Sequence, residues 1–172
     1  MKVVQQHCKS SAPFADTRHL VAAHDKAHEL YDAIENLLKG PEISLVDHGQ
    51  PKYQDKDGHI REEARTRWWN SDARTLRDIA VMSSGYTTAD GKPYPQLPDE
   101  ELPPGERPFA YTGDVPVFYG HYWRQGKPKP GEDFTDRTAC VDFSAVKDDG
   151  QLTAYRWSGE DTIRKGNYVQ LR

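Results

Sequence analysis

The chain has 172 residues, a formal net charge of −4, 35% hydrophobic residues and a mean hydropathy of −0.90. This length predicts one domain, and the polar composition predicts a thin core. No apolar run approaches the roughly 18 residues of a membrane span, and the mild acidity argues against non-specific nucleic-acid binding, which needs basic clusters.

The N-terminus and the cysteines indicate a cytoplasmic protein. Residues 1–6 lack the apolar stretch of a secretory signal. The two cysteines, Cys8 and Cys140, are too few for a disulfide framework. Cys140 lies in a predicted strand, where a thiol is most simply a small buried hydrophobe.

The first predicted element is a long helix. Residues 1–17 are expected to be irregular, and a helix is predicted from Thr17 to Leu38. Its apolar residues recur at spacings of three and four: Leu20, Ala23, Ala27, Leu30, Ile34 and Leu38. Gly40-Pro41 ends it, because glycine suits the C-terminal cap and proline cannot continue a helix.

Two histidines lie four residues apart on this predicted helix. His24 and His28 would share one face, which is the ligand spacing of zinc proteases, with Asp25 at the general-base position. The neighbouring residues are charged, so a solvated helix face is the alternative interpretation.

The middle of the chain mixes loops with a short helix. Residues 41–60 are predicted to be a loop with a turn at Asp57-Gly58. A helix is predicted from Asp72 to Met82, capped by Ser71 or Asp72. Residues 83–116 hold seven of the twelve prolines, which forbids regular hydrogen bonding between β-strands there. This segment is either a surface connection or a loop that folds over a site and selects substrate.

Arg65-Thr66-Arg67-Trp68-Trp69 combines cations with large aromatic rings. Such a group can stack on nucleic acid, or it can form a cation–aromatic packing cluster within a sheet. A further possibility is that Arg67 faces a phosphate-binding site.

The strand signal at residues 115–123 stops at a Gly-His pair. Val115 and Val117–Tyr119 have strand character, and Gly120 then allows a tight turn before His121. Ligands and metals usually lie at the carboxyl ends of strands in open α/β sheets. The alternative is a histidine that only packs against Trp123.

A hairpin is predicted next. Ala139–Val146 and Leu152–Trp157 are two β-prone runs joined by a loop that contains Asp149-Gly150. Asp142 in the first run is either a catalytic carboxylate or a residue that orients its neighbours near His121.

This order of strand, Gly-His, loop and hairpin resembles the C-terminal part of the calcineurin-like metallophosphoesterases, which include serine/threonine phosphatases and diadenosine tetraphosphatases. Residues 34–42, 55–58 and 65–69 look like middle segments of a bacterial branch, so the resemblance runs from about residue 28 to the end. It implies an α/β fold, as the C-terminal half of a two-sheet sandwich with flanking helices and an N-terminal helix. It also implies that His121 is a ligand of a two-metal centre of Mn, Fe or Zn.

The earlier motifs of that family are missing. Asp-x-His, Gly-Asp-x-x-Asp-Arg-Gly and Gly-Asn-His-Asp/Glu do not occur, and His7 is a weak match to a further mid-chain histidine. The resemblance therefore implies one incomplete domain over residues 1–172, inactive in phosphoester or nucleoside polyphosphate hydrolysis by itself. A partner chain with the N-terminal half would complete it. The alternative is a non-catalytic binding or structural module derived from that fold.

Overall fold

The computed structural model describes residues 17–171 of a mixed α/β chain, in agreement with the predicted class. The helices are α1 (Thr17–Ala22), α2 (Glu29–Lys39) and α3 (Leu76–Ile79). The strands are β1 (Glu42–Ser44), β2 (Tyr53–Gln54), β3 (Ile60–Arg61), β4 (Glu63–Arg65), β5 (Thr87–Thr88), β6 (Val117–Tyr119), β7 (Thr138–Cys140), β8 (Leu152–Tyr155) and β9 (Tyr168–Leu171). Three 3₁₀ helices cover Val46–His48, Pro104–Glu106 and Lys165–Asn167.

The chain divides into two compact units between Pro41 and Glu42. The first contributes α1 and α2, and the second contributes every described strand. The prediction of one domain over residues 1–172 stays a prediction.

The single helix predicted from Thr17 to Leu38 is wrong, because residues 23–28 form turns between α1 and α2. Side chains compete there for the backbone donors. The Asp25 carboxylate accepts from the Ala27 amide at 3.0 Å, and His28 Nδ1 accepts from the Leu30 amide at 3.1 Å as the N-cap of α2.

The predicted helix end is confirmed. The α2 helix stops at Lys39, and Gly40 follows with φ of 86°, a conformation that only glycine adopts without strain. The Gly40 amide still donates to the Asn36 carbonyl at 3.0 Å, so the last turn of the helix is closed.

The largest core cluster of the second unit draws its buried residues from two antiparallel sheets, one short helix and the proline-rich segment. The pair β1–β4 and the three-stranded sheet β3–β2–β5 contribute to it, together with α3. Its buried members are Ile43, Leu45, Tyr53, Ala64, Leu76, Ile79, Ala80 and Leu97. The prediction of a loop over residues 41–60 is therefore wrong at β1 and β2, whose partner strands lie later in the chain.

The turn predicted at Asp57-Gly58 is confirmed. Gly58 has φ of 88°, and the Asp55 carboxylate accepts from the amides of Asp57 and His59 at 3.0 and 2.9 Å. These bonds close the β2–β3 connection.

The helix predicted from Asp72 to Met82 is reduced to α3, so its predicted extent and caps are wrong. Thr75 caps α3: its hydroxyl accepts from the Asp78 amide at 3.1 Å, while the Asp78 carboxylate accepts from the Thr75 amide at 3.4 Å. After Ile79 the chain becomes extended, because the Val81 amide donates to the Arg65 carbonyl at 2.8 Å.

The strand predicted at Val117–Tyr119 is confirmed as β6, but the predicted hairpin is wrong. β6 pairs in parallel with β7, in the register Val117–Thr138, Phe118–Ala139 and Tyr119–Cys140. A parallel pair needs a long crossover, which residues 120–137 provide without an α-helix.

The second half of the predicted hairpin, β8, pairs with β9 instead. The chain between β7 and β8 folds tightly around Ser144. A Cβ at Gly150 would lie 1.7 Å from the Ser144 carbonyl oxygen, so only glycine fits there. The Asp149-Gly150 signal therefore marks a close backbone approach, and not a hairpin turn.

The proline-rich residues 83–116 contain only β5 and one 3₁₀ helix, which confirms that prolines exclude long ladders. Leu97 nevertheless is buried in the main core, and the Tyr94 hydroxyl donates to the Pro51 carbonyl at 2.7 Å. Among residues 17–171, no helix has the length and apolar character needed to cross a bilayer.

Replacing Thr75 by alanine removes the cap of α3 and leaves the Asp78 amide without its side-chain acceptor. We expect the free energy of unfolding to fall by about 1–2 kcal/mol in urea titrations. Thr75→Ser should keep most of the stability, and Thr162→Ala, at an exposed position, should change little. Equal losses for T75A and T162A would contradict this role.

Candidate functional site

The parallel pairing of β6 with β7 brings a histidine and an aspartate to one edge of the sheet. β6 is followed by Gly120-His121, and β7 by Val141-Asp142, so both segments lie at adjacent carboxyl ends. A Cβ at Gly120 would come within 3.4 Å of the Asp142 Cβ. This distance is an ordinary van der Waals contact, so the two segments touch at this edge. The left-handed backbone conformation is that of His121, and not of Gly120.

The backbone is strained at this edge. Within residues 17–171, the non-glycine residues with positive φ are His121 at 69°, Trp123 at 50° and Ser144 at 57°. Such conformations cost about 1 kcal/mol each or more, so other contacts must stabilise them. Strain of this kind clusters at functional sites, which makes this edge the candidate site.

The Asp142 carboxylate holds the strained segments together. One oxygen accepts from the Trp123 amide and the other from the Ser144 amide, each at 3.2 Å. The Asp142 carbonyl accepts from the Arg124 amide at 3.0 Å. This confirms the orienting role that the sequence suggested for Asp142.

His121 meets Arg65 of β4 at this edge. The Arg65 Nη2 lies 2.9 Å from His121 Nε2, and Arg65 Nη1 donates to the His121 carbonyl. The Arg65 guanidinium also stands over the Tyr122 ring, 5.8 Å from its centroid. One cation therefore contacts both the backbone and the side chain of the predicted metal ligand.

An aromatic cluster supports the edge. Trp69, Tyr122 and Cys140 are its buried members, and the Tyr122 hydroxyl donates to the Thr66 carbonyl at 3.0 Å. Burial raises the pKa of Tyr122 to about 12, so its hydroxyl stays protonated at neutral pH. Residues 65–69 do take part in cation–aromatic packing, but with partners outside the segment, as Arg65 lies over Tyr122 and Arg124 lies over Trp69. The predicted place of the cluster within a sheet is wrong for Trp68 and Trp69, which lie in a turn.

Arg124 joins this cluster to the loop after His121. Its guanidinium lies 5.1 Å from the Trp69 ring centroid, and its Nε is 3.2 Å from the buried Asp133 carboxylate, without hydrogen-bond alignment. The Asp133 carboxylate also accepts from the Lys129 amide at 2.9 Å. Burial nevertheless raises the pKa of Asp133, because desolvation outweighs these contacts.

Arg67, the predicted phosphate-binding residue, caps α3. Its Nη1 lies 3.0 Å from the Arg77 carbonyl, 3.0 Å from the Asp78 carbonyl and 2.6 Å from the Ala80 carbonyl. A cation at the last carbonyls of a helix is favourable. Substrate binding by Arg67 stays a prediction.

The histidines predicted on one helix face do not share one. His24 Nδ1 lies 2.7 Å from the Leu20 carbonyl at the end of α1, whereas His28 caps the start of α2. The zinc-protease interpretation depended on a continuous helix, and it is wrong for this reason. His7 and Cys8 lie outside the described residues.

The donor set does not fit the metal pair that the resemblance implies. Within residues 17–171, no group of three or more His, Cys, Asp or Glu side chains is placed to hold an ion. In addition, a guanidinium faces the ring of His121. The described residues thus do not supply the several ligands that a two-metal centre needs.

The open groove beside β1 and β4, of about 320 Å³, is unsuited to phosphate. It is lined by Glu42, Ser44, Ile60, Arg61, Glu62 and Glu63. Burial raises the pKa of Glu63, and the neighbouring Glu42 raises it further. Three carboxyl groups in one groove repel an anion more strongly than Arg61 attracts it.

A comparison of this chain with models of protein families, with curated proteins and with solved structures finds no match. The resemblance to calcineurin-like metallophosphoesterases therefore stays a prediction.

Replacing Asp142 by alanine removes the acceptor shared by Trp123 and Ser144. We expect the free energy of unfolding to fall by about 1.5–3 kcal/mol, the range for hydrogen bonds to a charged group. Asp148→Ala removes the same charge at an exposed position and is the matched control. Similar urea midpoints for D142A and D148A would show that the carboxylate does not hold this edge.

Cys140 should be unreactive in the folded chain. Its side chain is fully buried, and burial raises the pKa of its thiol to about 11, so little thiolate forms. In a Cys8→Ser background, Ellman's reagent should label Cys140 only after unfolding. Adding Ser158→Cys at an exposed position gives the reactive control. Rapid labelling of native Cys140 would contradict the burial argument.

Proposed function

We propose that this chain is the C-terminal half of a calcineurin-like metallophosphoesterase, and that it takes part in phosphoester or nucleoside polyphosphate hydrolysis only when the N-terminal half is supplied. The observation that carries the proposal is the parallel β6–β7 pair, with Gly120-His121 and Asp142 at its carboxyl edge. A site at that edge agrees with the general location of ligands in open α/β sheets.

The free edge of β6 supports an incomplete sheet. Val117 and Tyr119 use their backbone groups to bond β7, so the N–H and C=O of Phe118 point to the opposite edge. No described strand pairs there. Parallel strands are rarely left in an isolated pair, since they are normally covered within larger sheets.

Exposed apolar side chains near β6 point the same way. Phe118 is 38% exposed, and its ring lies 6.3 Å from that of Trp157, which is 55% exposed. Val115, just before the strand, is 70% exposed. An added half that pairs with β6 would cover such a surface, and an uncovered one favours self-association.

The two-metal chemistry would require ligands from the missing half. In a complete family site, such a centre binds phosphate oxygens and activates a hydroxide. The described residues do not fit this centre by themselves, so no reaction step is assigned to them. This chain contributes His121 to the proposed site. The strained backbone at the carboxyl edge of β6 fixes the position of this residue.

A second candidate is a non-catalytic module that keeps part of the fold. It is favoured by the arginines, because Arg65 bonds His121 and Arg67 bonds the carbonyls at the end of α3. In this alternative both cations stabilise the fold, and neither contacts substrate.

The proposal predicts no manganese-dependent hydrolysis of p-nitrophenyl phosphate by the purified chain, and no stoichiometric bound metal. Co-expression with a protein that carries Asp-x-His and Gly-Asp-x-x-Asp-Arg-Gly, encoded by a neighbouring reading frame, should yield a complex that binds metal and turns over. His121→Ala should abolish that turnover, because one metal loses a ligand.

Asp148→Ala in the same complex is the control and should leave turnover intact. Turnover by the isolated chain would mean that unrecognised ligands complete the site, which contradicts the half-site proposal. A complex whose turnover survives H121A would remove His121 from the metal centre.

A further inference from the structure

We infer that in the isolated chain Arg65 competes with any metal ion for His121, because the guanidinium occupies the ring lone pair that a metal would use, so that metal binding in a complex would require Arg65 to release the ring. The inference rests on the contact between Arg65 Nη2 and His121 Nε2, 2.9 Å apart. It does not depend on the proposed function, since it concerns only the state of His121 in this chain.

The direction of this hydrogen bond is fixed by the chemistry of arginine. A guanidinium has five N–H donors, has no acceptor and stays protonated in proteins. His121 Nε2 must therefore accept, so the ring is neutral and its proton is on Nδ1. The general ambiguity of histidine tautomers is resolved here by the partner.

The contact with Arg65 opposes a metal at either nitrogen. A neutral imidazole has one unprotonated nitrogen, and only that nitrogen can bind a metal. In His121 this atom is Nε2, which faces Arg65. Binding through Nδ1 would require the proton to move to Nε2, which would also break the bond with Arg65. Arg65 and a metal thus compete for His121 whichever nitrogen is used.

Arg65 is held in place from several sides. Its backbone belongs to β4 and pairs with Glu42 of β1, while its carbonyl accepts from Val81 at 2.8 Å. Its guanidinium lies over Tyr122 and also donates to the His121 carbonyl. The left-handed backbone of His121, with φ of 69°, is the conformation in which one guanidinium reaches both groups.

The contact with Arg65 should weaken metal binding measurably. A hydrogen bond from a charged donor contributes enough free energy to change an equilibrium constant by about ten- to a hundredfold. Removing Arg65 also removes a nearby positive charge, which by itself favours a cation. Both effects act in the same direction, so the affinity for a metal should rise when Arg65 is replaced by a neutral residue.

The tautomer of His121 can be measured directly in the wild-type chain. Two-bond ¹H–¹⁵N correlation spectra of ¹⁵N-histidine-labelled protein, with the His121 signals assigned by their loss in His121→Gln, should show a neutral ring protonated at Nδ1. A proton on Nε2 would overturn the inference, and this test needs no variant at position 65.

Zinc titration of the same sample tests the competition. The His121 signals of the wild type should stay unchanged over the range in which exposed His59 responds. In Arg65→Gln the affinity at His121 should rise at least about tenfold. Arg61→Gln, which removes a charge from exposed Arg61 of β3, controls for the loss of one positive charge from the chain and should leave His121 unresponsive.

Equal zinc responses at His121 in R65Q and R61Q would overturn the inference. If R65Q fails to fold, the zinc titration of the wild type still tests the inference, because a His121 response at the zinc concentrations to which His59 responds would overturn it. The outcome is separable from that of the proposed function, because catalysis in a complex and the tautomer of the isolated chain are independent readouts.

Discussion

The parallel pairing of β6 with β7 is the contact on which the candidate site depends. An antiparallel pair would send the two following segments to opposite ends of the sheet. Parallel pairing places Gly120-His121 beside Asp142, and the Asp142 carboxylate then binds both the Trp123 and the Ser144 amides. The Asp142 side chain therefore stabilises the strained backbone at Trp123 and at Ser144, because its two oxygens accept hydrogen bonds from these two amides.

Arginine side chains take over part of the role that a larger apolar core would have. With 35% hydrophobic residues, the chain builds small separate clusters. Arg67 closes the end of α3, Arg124 covers Trp69, and Arg65 joins β4 to the loop after β6. Each guanidinium contacts several backbone carbonyls or lies over an aromatic ring. Its planar fork of N–H donors makes this possible, and lysine has no such fork.

Local signals predicted local structure. Gly40 ended a helix, Gly58 formed a turn and Val117–Tyr119 formed a strand, because each depends on residues nearby in sequence. The hairpin was wrong, since strand pairing depends on distant partners such as Tyr168–Leu171. The contact of Arg65 with His121 spans 56 positions, and no spacing rule selects that partner among 23 cationic residues.

Gly150 has a consequence for how mutational tolerance should be interpreted. Any side chain there would collide with the Ser144 carbonyl, because even a Cβ would lie 1.7 Å away. A library selected only for folded protein should therefore deplete every substitution at this position. A library selected for activity would deplete them equally, so intolerance at Gly150 carries no information about chemistry. Informative positions near this edge are those whose tolerance differs between the two selections.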